Sequence, residues 1–300
     1  MKVSTSSPRS VGELLPELQS GQSLDLLKQL HILTADGKLN QDSRRKLKQV
    51  NHLFKFVERI LIELTEDRKN SSSYGSVVSP ESGVTLADHG AGKSYLGFIV
   101  YDLFFRARGD GWIYGVETRE ELVDKSRALA AKLGFERMTF LNLSVSDAAV
   151  SDLLPPQVDI VTALHACDTA TDDAIQFGLR KQAKFMVLVP CCQAEMARAL
   201  NANKALSLGR TPLAELWRHP LHAREMGSQL TNVLRCLYLE ASGYQVTVTE
   251  LVGWEHSMKN ELIIARHTGR RQASSAKRLA SILEEFGLGQ AMQSRFRLHL

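Results

Sequence analysis

Asp88-His89-Gly90-Ala91-Gly92-Lys93-Ser94 sets a carboxylate and two glycines within five residues, and Glu117 ends the next apolar run. Further on, His165, Cys167 and Asp168 fall together, followed by Pro190-Cys191-Cys192-Gln193 and then by His256, Lys259 and Asn260. Closely spaced glycines let a backbone turn sharply and pass near a ligand. Carboxylates accept hydrogen bonds from hydroxyl or ammonium groups, and a His or Asp at a strand end can take a proton.

Several readings compete for the glycine loop. A phosphate loop, G-x-x-x-x-G-K-[ST], matches Gly92-Lys93-Ser94, but its leading glycine would fall on Ala87. Asp88 would also put a negative charge inside a phosphate cradle. A dinucleotide fingerprint, G-x-G-x-x-G, matches Gly90 and Gly92, but Tyr95 stands where the third glycine belongs. The pattern D-x-G-x-G suits S-adenosylmethionine, which has no pyrophosphate and carries a sulfonium and an ammonium. On that reading Asp88, Gly90, Ala91 and Gly92 bind the cofactor, with Asp88 facing the ammonium directly or through water. A ligand-free strand-to-helix turn is the plain alternative. Glu117 favours the cofactor, because an acid after the second strand can accept both ribose hydroxyls of an adenosyl group. Ser144 and Val145, at the exit of the third strand, are expected near the adenine.

These residues need a scaffold that brings strand ends together. Val84–Asp88, Trp112–Glu117, Met138–Asn142, Val158–Leu164 and Phe185–Val189 are short apolar runs separated by helical patterns, which predicts a parallel sheet. Tyr244–Leu251 and Asn260–Arg266 are two more strands, too close in sequence for a crossover helix, so they form an antiparallel hairpin. Before the sheet, Leu47, Val50, Phe54, Val57 and Leu61 recur at helical spacing, with Asp42 or Ser43 as the cap and a polar boundary from Lys69. Ser275–Phe286 reads as a helix. The expected division is a helical extension over 1–75, the sheet domain over 76–268 and a basic helical tail over 269–300.

Ligands bind at the carboxyl ends of parallel strands, so the His165–Asp168 and Pro190–Gln193 clusters should face the reacting atoms. Asp168 or His165 could accept a proton there; Asp168 and Thr169 could equally cap the next helix. His165, Cys167, Cys191 and Cys192 lack the paired C-x-x-C spacing of zinc sites, so no metal is expected.

The loop Asp88–Leu96, the run Leu164-His-Ala-Cys-Asp-Thr-Ala-Thr-Asp172, Val189-Pro-Cys-Cys-Gln193 and Glu255-His-Ser-Met-Lys-Asn260 together resemble a family of bacterial class I methyltransferases. The likeness spans about Leu47 to Arg266. More distantly, the His-Ala-Cys and Cys-Cys elements are similar to eukaryotic methyltransferase-like proteins, including tRNA 2′-O-ribose methyltransferases of the Trm-thirteen type. Two positions depart from the pattern. His89 stands where the bacterial family more often has a small or apolar residue, and Asp168 where the eukaryotic proteins tend to carry Gly. The resemblance implies a Rossmann-like class I methyltransferase fold with a mostly parallel seven-stranded sheet, S-adenosyl-L-methionine as cofactor, and RNA as a candidate acceptor. Family likeness and position together make Pro190, Cys191, His256, Lys259 and Asn260 candidates for substrate contact.

Composition is that of an ordinary globular protein, with 44% apolar and 23% charged residues. No run reaches the roughly 20 apolar residues of a membrane span, and the first residues lack the apolar core of a secretion signal, so the cytoplasm is the expected location. The net charge is only +4. Its basic residues concentrate at Arg44-Arg45-Lys46 and Arg270-Arg271, on the two appendages, where they suit contact with an RNA backbone.

Overall fold

The computed structural model describes residues 18–72, 83–164, 169–190, 194–202, 210–251, 260–292, 295–296 and 298. Its centre is a seven-stranded sheet of order β3-β2-β1-β4-β5-β7-β6. The strands are β1 (Thr85–His89), β2 (Trp112–Glu117), β3 (Met138–Asn142), β4 (Ile160–Leu164), β5 (Phe185–Val189), β6 (Tyr244–Glu250) and β7 (Glu261–His267). The first five pair in parallel, while β7 runs antiparallel to both β5 and β6. This is the mostly parallel sheet with a terminal hairpin that the sequence pattern predicts. Strand order reverses between β1 and β4, and at such a reversal a crevice opens at the carboxyl ends of the strands. The glycine loop leaves β1 there.

Both faces of the central strands are covered, so β1, β4 and β5 are buried on both sides, while the edge strand β6 is partly exposed. Along β5, Phe185, Val187 and Val189 enter one core cluster, and Met186 and Leu188 enter the other. The first cluster also holds α1 (Leu24–Gln29), α2 (Gln41–Ser72), α3 (Tyr95–Val100, continued by a π-helical turn Tyr101–Phe105 and by Arg106–Arg108) and α4 (Glu120–Leu133). Leu47, Val50, Phe54, Val57 and Leu61 of α2 are buried with Leu86 of β1 and Phe98 of α3, the stripe expected from their spacing. The second cluster holds α5 (Val145–Val150), α6 (Ala170–Arg180), α7 (Ala194–Ala202), α8 (Pro220–Ala241), α9 (Ala273–Glu285) and α10 (Gly289–Met292). Among the described residues no helix is long and apolar enough to cross a membrane.

Several local expectations are corrected. Neither Asp42 nor Ser43 caps α2: Asn40 Oδ1 accepts from the Ser43 amide at 2.7 Å, one position ahead of the helix start. The polar stretch after Lys69 does not begin as a break, because α2 continues through Ser72. α5, only 6 residues long, and α8, 22 residues long, carry no expectation from the sequence. α5 is too short to show a period, and α8 is buried on several sides, which blurs its polar face.

Two polar clusters fix these layers. At the amino end of the strands, Asp159 Oδ2 accepts from Arg68 of α2 at 2.7 Å and from the Thr85 amide at 2.8 Å, while Lys184 pairs with Oδ1 at 3.0 Å. At the carboxyl end, the fully buried Arg235 of α8 donates to Asp172 of α6 at 2.6 Å and to Asn232 Oδ1 at 3.0 Å. Asn232 in turn donates to Glu261, the first residue of β7, at 2.6 Å. Arg295 reaches the other Asp172 oxygen at 3.4 Å and pairs with Glu195 of α7. Helix α6, strand β7 and helix α7 are thus held relative to one another where the His165, His256 and Cys191 segments begin or end.

Removing one member of a buried ion pair leaves an uncompensated charge. Arg235→Leu is expected to lower the unfolding free energy by about 3 kcal/mol in urea denaturation. The double variant Arg235→Leu/Asp172→Leu should recover part of that loss. A double variant less stable than the single would show that Asp172, left with Arg295 as its partner, is not a stranded charge in Arg235→Leu.

Candidate functional site

The loop between β1 and α3 is built from left-handed backbone. Gly90 (φ 61°), Gly92 (φ 57°) and Ser94 (φ 49°) all lie there, a region that glycine enters freely and serine does not. Ser94 is held by its surroundings: it is fully buried, and its amide donates to Ala91 O at 2.6 Å. The Ala91 amide donates to Val116 O at 3.2 Å, fastening the loop to the end of β2.

Asp88 and His89 point to opposite faces of β1, as neighbours on a strand must. The Asp88 carboxylate accepts from Thr162 Oγ1 of β4 at 2.7 Å and from Ser94 Oγ at 3.4 Å. It lies beneath the loop, and burial raises its pKa to about 6 despite those two hydrogen bonds. His89 is 1% exposed, and neither ring nitrogen has a hydrogen-bond partner. Its ring lies 4.1 Å from that of Phe177 on α6, and burial drives its pKa down to about 3, so it is neutral.

Glu117 closes β2 with its carboxylate 6% exposed. Oε2 accepts from the Gly92 amide at 2.9 Å and from Arg119 Nη2 at 3.0 Å. Oε1 accepts from Arg119 Nε at 2.9 Å and from the Arg119 amide at 3.0 Å. Burial alone would raise its pKa, but these donors and the Arg119 charge hold it at about 2, so the group stays ionised.

Beside Glu117 opens a cavity of about 350 Å³. Gly90 forms one wall, Glu117 and Thr118 the next, and Leu143, Ser144 and Val145 a third. Ser144 caps α5, accepting from the Asp147 amide at 3.2 Å, which fixes the turn that carries Val145. The far wall is α6, through Asp173, Gln176, Phe177 and Arg180. The cavity therefore offers apolar flanks from Val116, Leu143 and Phe177 and a buried carboxylate at its edge, the usual make-up of a small-molecule site.

Of the residues expected to bind a cofactor, Gly90, Glu117, Ser144 and Val145 line this cavity, whereas Asp88, Ala91 and Gly92 build the loop beside it. Pro190 is buried at the end of β5, and Asn260 is half-buried just before β7. His165, Asp168, Cys191, His256 and Lys259 lie outside the described residues. Among the described residues no group of His, Cys, Asp or Glu could hold a metal ion. The sequence reading missed Arg119 and the α6 wall. The wall had a signal: residues 173, 176, 177 and 180 share one helix face at steps of three and four.

A buried neutral histidine destabilises the fold wherever the unfolded chain would protonate it. Its folded pKa of about 3 lies below the ordinary 6.5, so the unfolded state gains the proton first as pH falls. His89→Leu is therefore expected to stabilise the protein relative to wild type by a margin that grows as pH drops below 6.5, on the order of 1.4 kcal/mol per unit at most. Asp88 titrates with the opposite sign but is common to both proteins. Urea denaturation at pH 5 and pH 7 checks this, and an equal difference at the two values would mean that His89 has a polar partner in solution.

Residues 45–199 match a family described as "Methyltransferase domain". A glutathione S-transferase C-terminal domain-containing protein of Xenopus laevis is 22% identical over 248 residues. That match takes in 77% of this chain and 36% of the relative, so the chain spans about a third of that protein's length. Among solved structures, the DszA carbon methyltransferase aligns with a TM-score of 0.48 at 16% identity, covering 83% of this chain and 59% of that one. The magnesium protoporphyrin IX methyltransferase of Synechocystis PCC 6803, solved with bound SAH, aligns with a TM-score of 0.41 at 13% identity, covering 81% and 93%. With residues 45–199 matched and a seven-stranded sheet ordered β3-β2-β1-β4-β5-β7-β6, the chain belongs to the methyltransferase-domain family and has the class I, Rossmann-like methyltransferase fold.

Proposed function

We propose that this protein transfers a methyl group from S-adenosyl-L-methionine to RNA. The observation that carries the cofactor reading is the ionised, buried Glu117 at the edge of a half-apolar cavity, one strand from a D-x-G-x-G loop. The site fits an adenosyl group: a carboxylate that can accept two ribose hydroxyls stands beside a slot flanked by Val116, Leu143, Val145 and Phe177. Bound there, S-adenosylmethionine supplies an electrophilic methyl group on sulfur. Glu117 orients the ribose, and the Gly90–Gly92 turn admits the methionine portion. Ser144 and Val145 border the base. Asp88 holds the loop from below through Ser94 and Thr162. Asp168 or His165 takes the acceptor's proton, and Pro190, Cys191, His256, Lys259 and Asn260 contact the acceptor.

Support for RNA is electrostatic. Arg44, Arg45 and Lys46 are exposed on the first turns of α2, and Arg270 and Arg271 are exposed after β7. These basic residues lie outside the sheet strands, on a 1–75 extension and a 269–300 tail that flank the 76–268 domain, and suit contact with phosphates. The cytoplasm is the proposed location.

Arg119 occupies the carboxylate oxygens a ribose would use. Its side chain is 66% exposed, so the guanidinium can swing into water when ribose hydroxyls take over its hydrogen bonds to Glu117. Titration with S-adenosylhomocysteine is expected to show Glu117→Ala binding weakened by about 1–3 kcal/mol. Arg119→Ala should bind as tightly as wild type or up to about fivefold more tightly. Unchanged affinity in Glu117→Ala would remove Glu117 from the site, and a loss in Arg119→Ala would make Arg119 a direct ligand.

The acceptor is tested by incubating purified protein with labelled S-adenosylmethionine and either total RNA, a protein extract or a small-molecule extract. Label in RNA is expected. Label only in protein or small molecules would reassign the acceptor, and cofactor binding without transfer to any fraction would identify a non-catalytic binding protein.

A further inference from the structure

The Gly92-Lys93-Ser94 run fits no phosphate loop, yet Lys93 is not idle. It lines a second cavity, of about 410 Å³, separate from the one bordered by Glu117. The cavity lies between the end of α1 and α4. Leu30, Leu122 and Leu129 contribute apolar lining, Lys93, Lys125 and Lys132 contribute ammonium groups and His31 an imidazole; no acidic residue lines it. Glu121, one turn before Lys125, pairs with it. Among the described residues, Lys93 and Lys132 are in no ion pair or side-chain hydrogen bond. Two unpaired ammonium groups, Lys93 and Lys132, on one concavity repel each other unless an anion joins them.

The basic surface does not stop at the cavity. His31, in left-handed backbone at φ 55°, accepts at its carbonyl from Ser43 Oγ at 3.5 Å. Ser43 precedes the exposed Arg44, Arg45 and Lys46 of α2. A track of basic residues therefore runs from Arg44–Lys46 of α2, past the His31 carbonyl, to Lys93, which directly follows Gly92 of the loop proposed to bind the cofactor.

The geometry points to this cavity as a phosphate-binding site for the acceptor, in which Lys93 and Lys132 hold backbone phosphates of an RNA strand lying along the track. The anion chemistry stands on the cavity alone; its assignment to RNA rests on the acceptor reading given above. Lysines serve phosphates as point charges without fixed geometry, so the site grips a strand without reading its sequence.

The test is fluorescence anisotropy with a mixed-sequence single-stranded RNA oligonucleotide at several salt concentrations. It compares wild type with Lys93→Ala/Lys132→Ala and with Lys132→Ala alone. Each lost phosphate contact on a single strand should reduce the magnitude of the negative slope of log affinity against log salt by about 0.7. The double variant should lose about 1.4 and bind roughly tenfold more weakly at low salt, and Lys132→Ala about half of that slope change. S-adenosylhomocysteine affinity should be unchanged, which separates the effect from damage to the glycine loop. If wild type binds RNA and the variants match it in affinity and slope, the cavity assignment is overturned and the RNA reading stands. If wild type binds no RNA but binds inorganic pyrophosphate, and the double variant does not, the anion site stands and the RNA reading falls. Binding of neither probe by wild type overturns the assignment.

Discussion

The hydrogen bond from the Gly92 amide to Glu117 Oε2, at 2.9 Å, is the contact on which the site depends. It joins the loop leaving β1 to the end of β2. Its acceptor is a carboxylate, so the bond is stronger than one between neutral groups, and its donor is a backbone amide that no strand or helix would otherwise use. The left-handed residues of the loop are affordable because this bond, the Ala91–Val116 bond and the Asp88–Ser94 contact determine the loop's path from three directions. The same carboxylate then forms the edge of the cavity. One acid thus shapes the loop and borders the cavity.

Around this junction the sheet supplies rigidity and the helices supply chemistry. β1 alternates Leu86 and Asp88 toward one layer with Ala87 and His89 toward the other, so one strand exit both supports the glycine loop and reaches toward α6. The α6 wall is held by Asp172, whose partner Arg235 comes from a helix far along the chain. Such a fully buried ion pair is weak evidence for net stability, but it fixes which way α6 and α8 face one another. The cavity beside Glu117 inherits that register, since Asp173, Gln176 and Phe177 follow directly in sequence.

The two ends of the chain close the structure differently. Helix α2 is anchored at Asp159 by Arg68 and fills one face of the sheet, so its basic first turns stay outward beside α1. The tail returns through α9 to pack Leu279 against the second core. Basic residues on both segments remain in solvent, where a charged polymer can meet them.

Much of this was legible in the sequence. Apolar runs alternating with helical stretches determine a parallel sheet, because only crossovers of that length join parallel neighbours. The spacing of Asp88, Gly90, Gly92 and Glu117 identified the loop and its acid, since side-chain type and strand position are local properties. What the sequence could not decide depends on distant partners. Asn40 caps α2 because its side chain reaches an amide three residues on, which composition does not distinguish from Asp42 or Ser43. Arg119 folds back onto Glu117, α6 meets the cavity through a face set by Arg235, and Lys93 shares a second cavity with α4. Each of these is a choice among rotamers and helix rotations that local energies leave nearly equal, and only contacts between residues far apart in the chain select one.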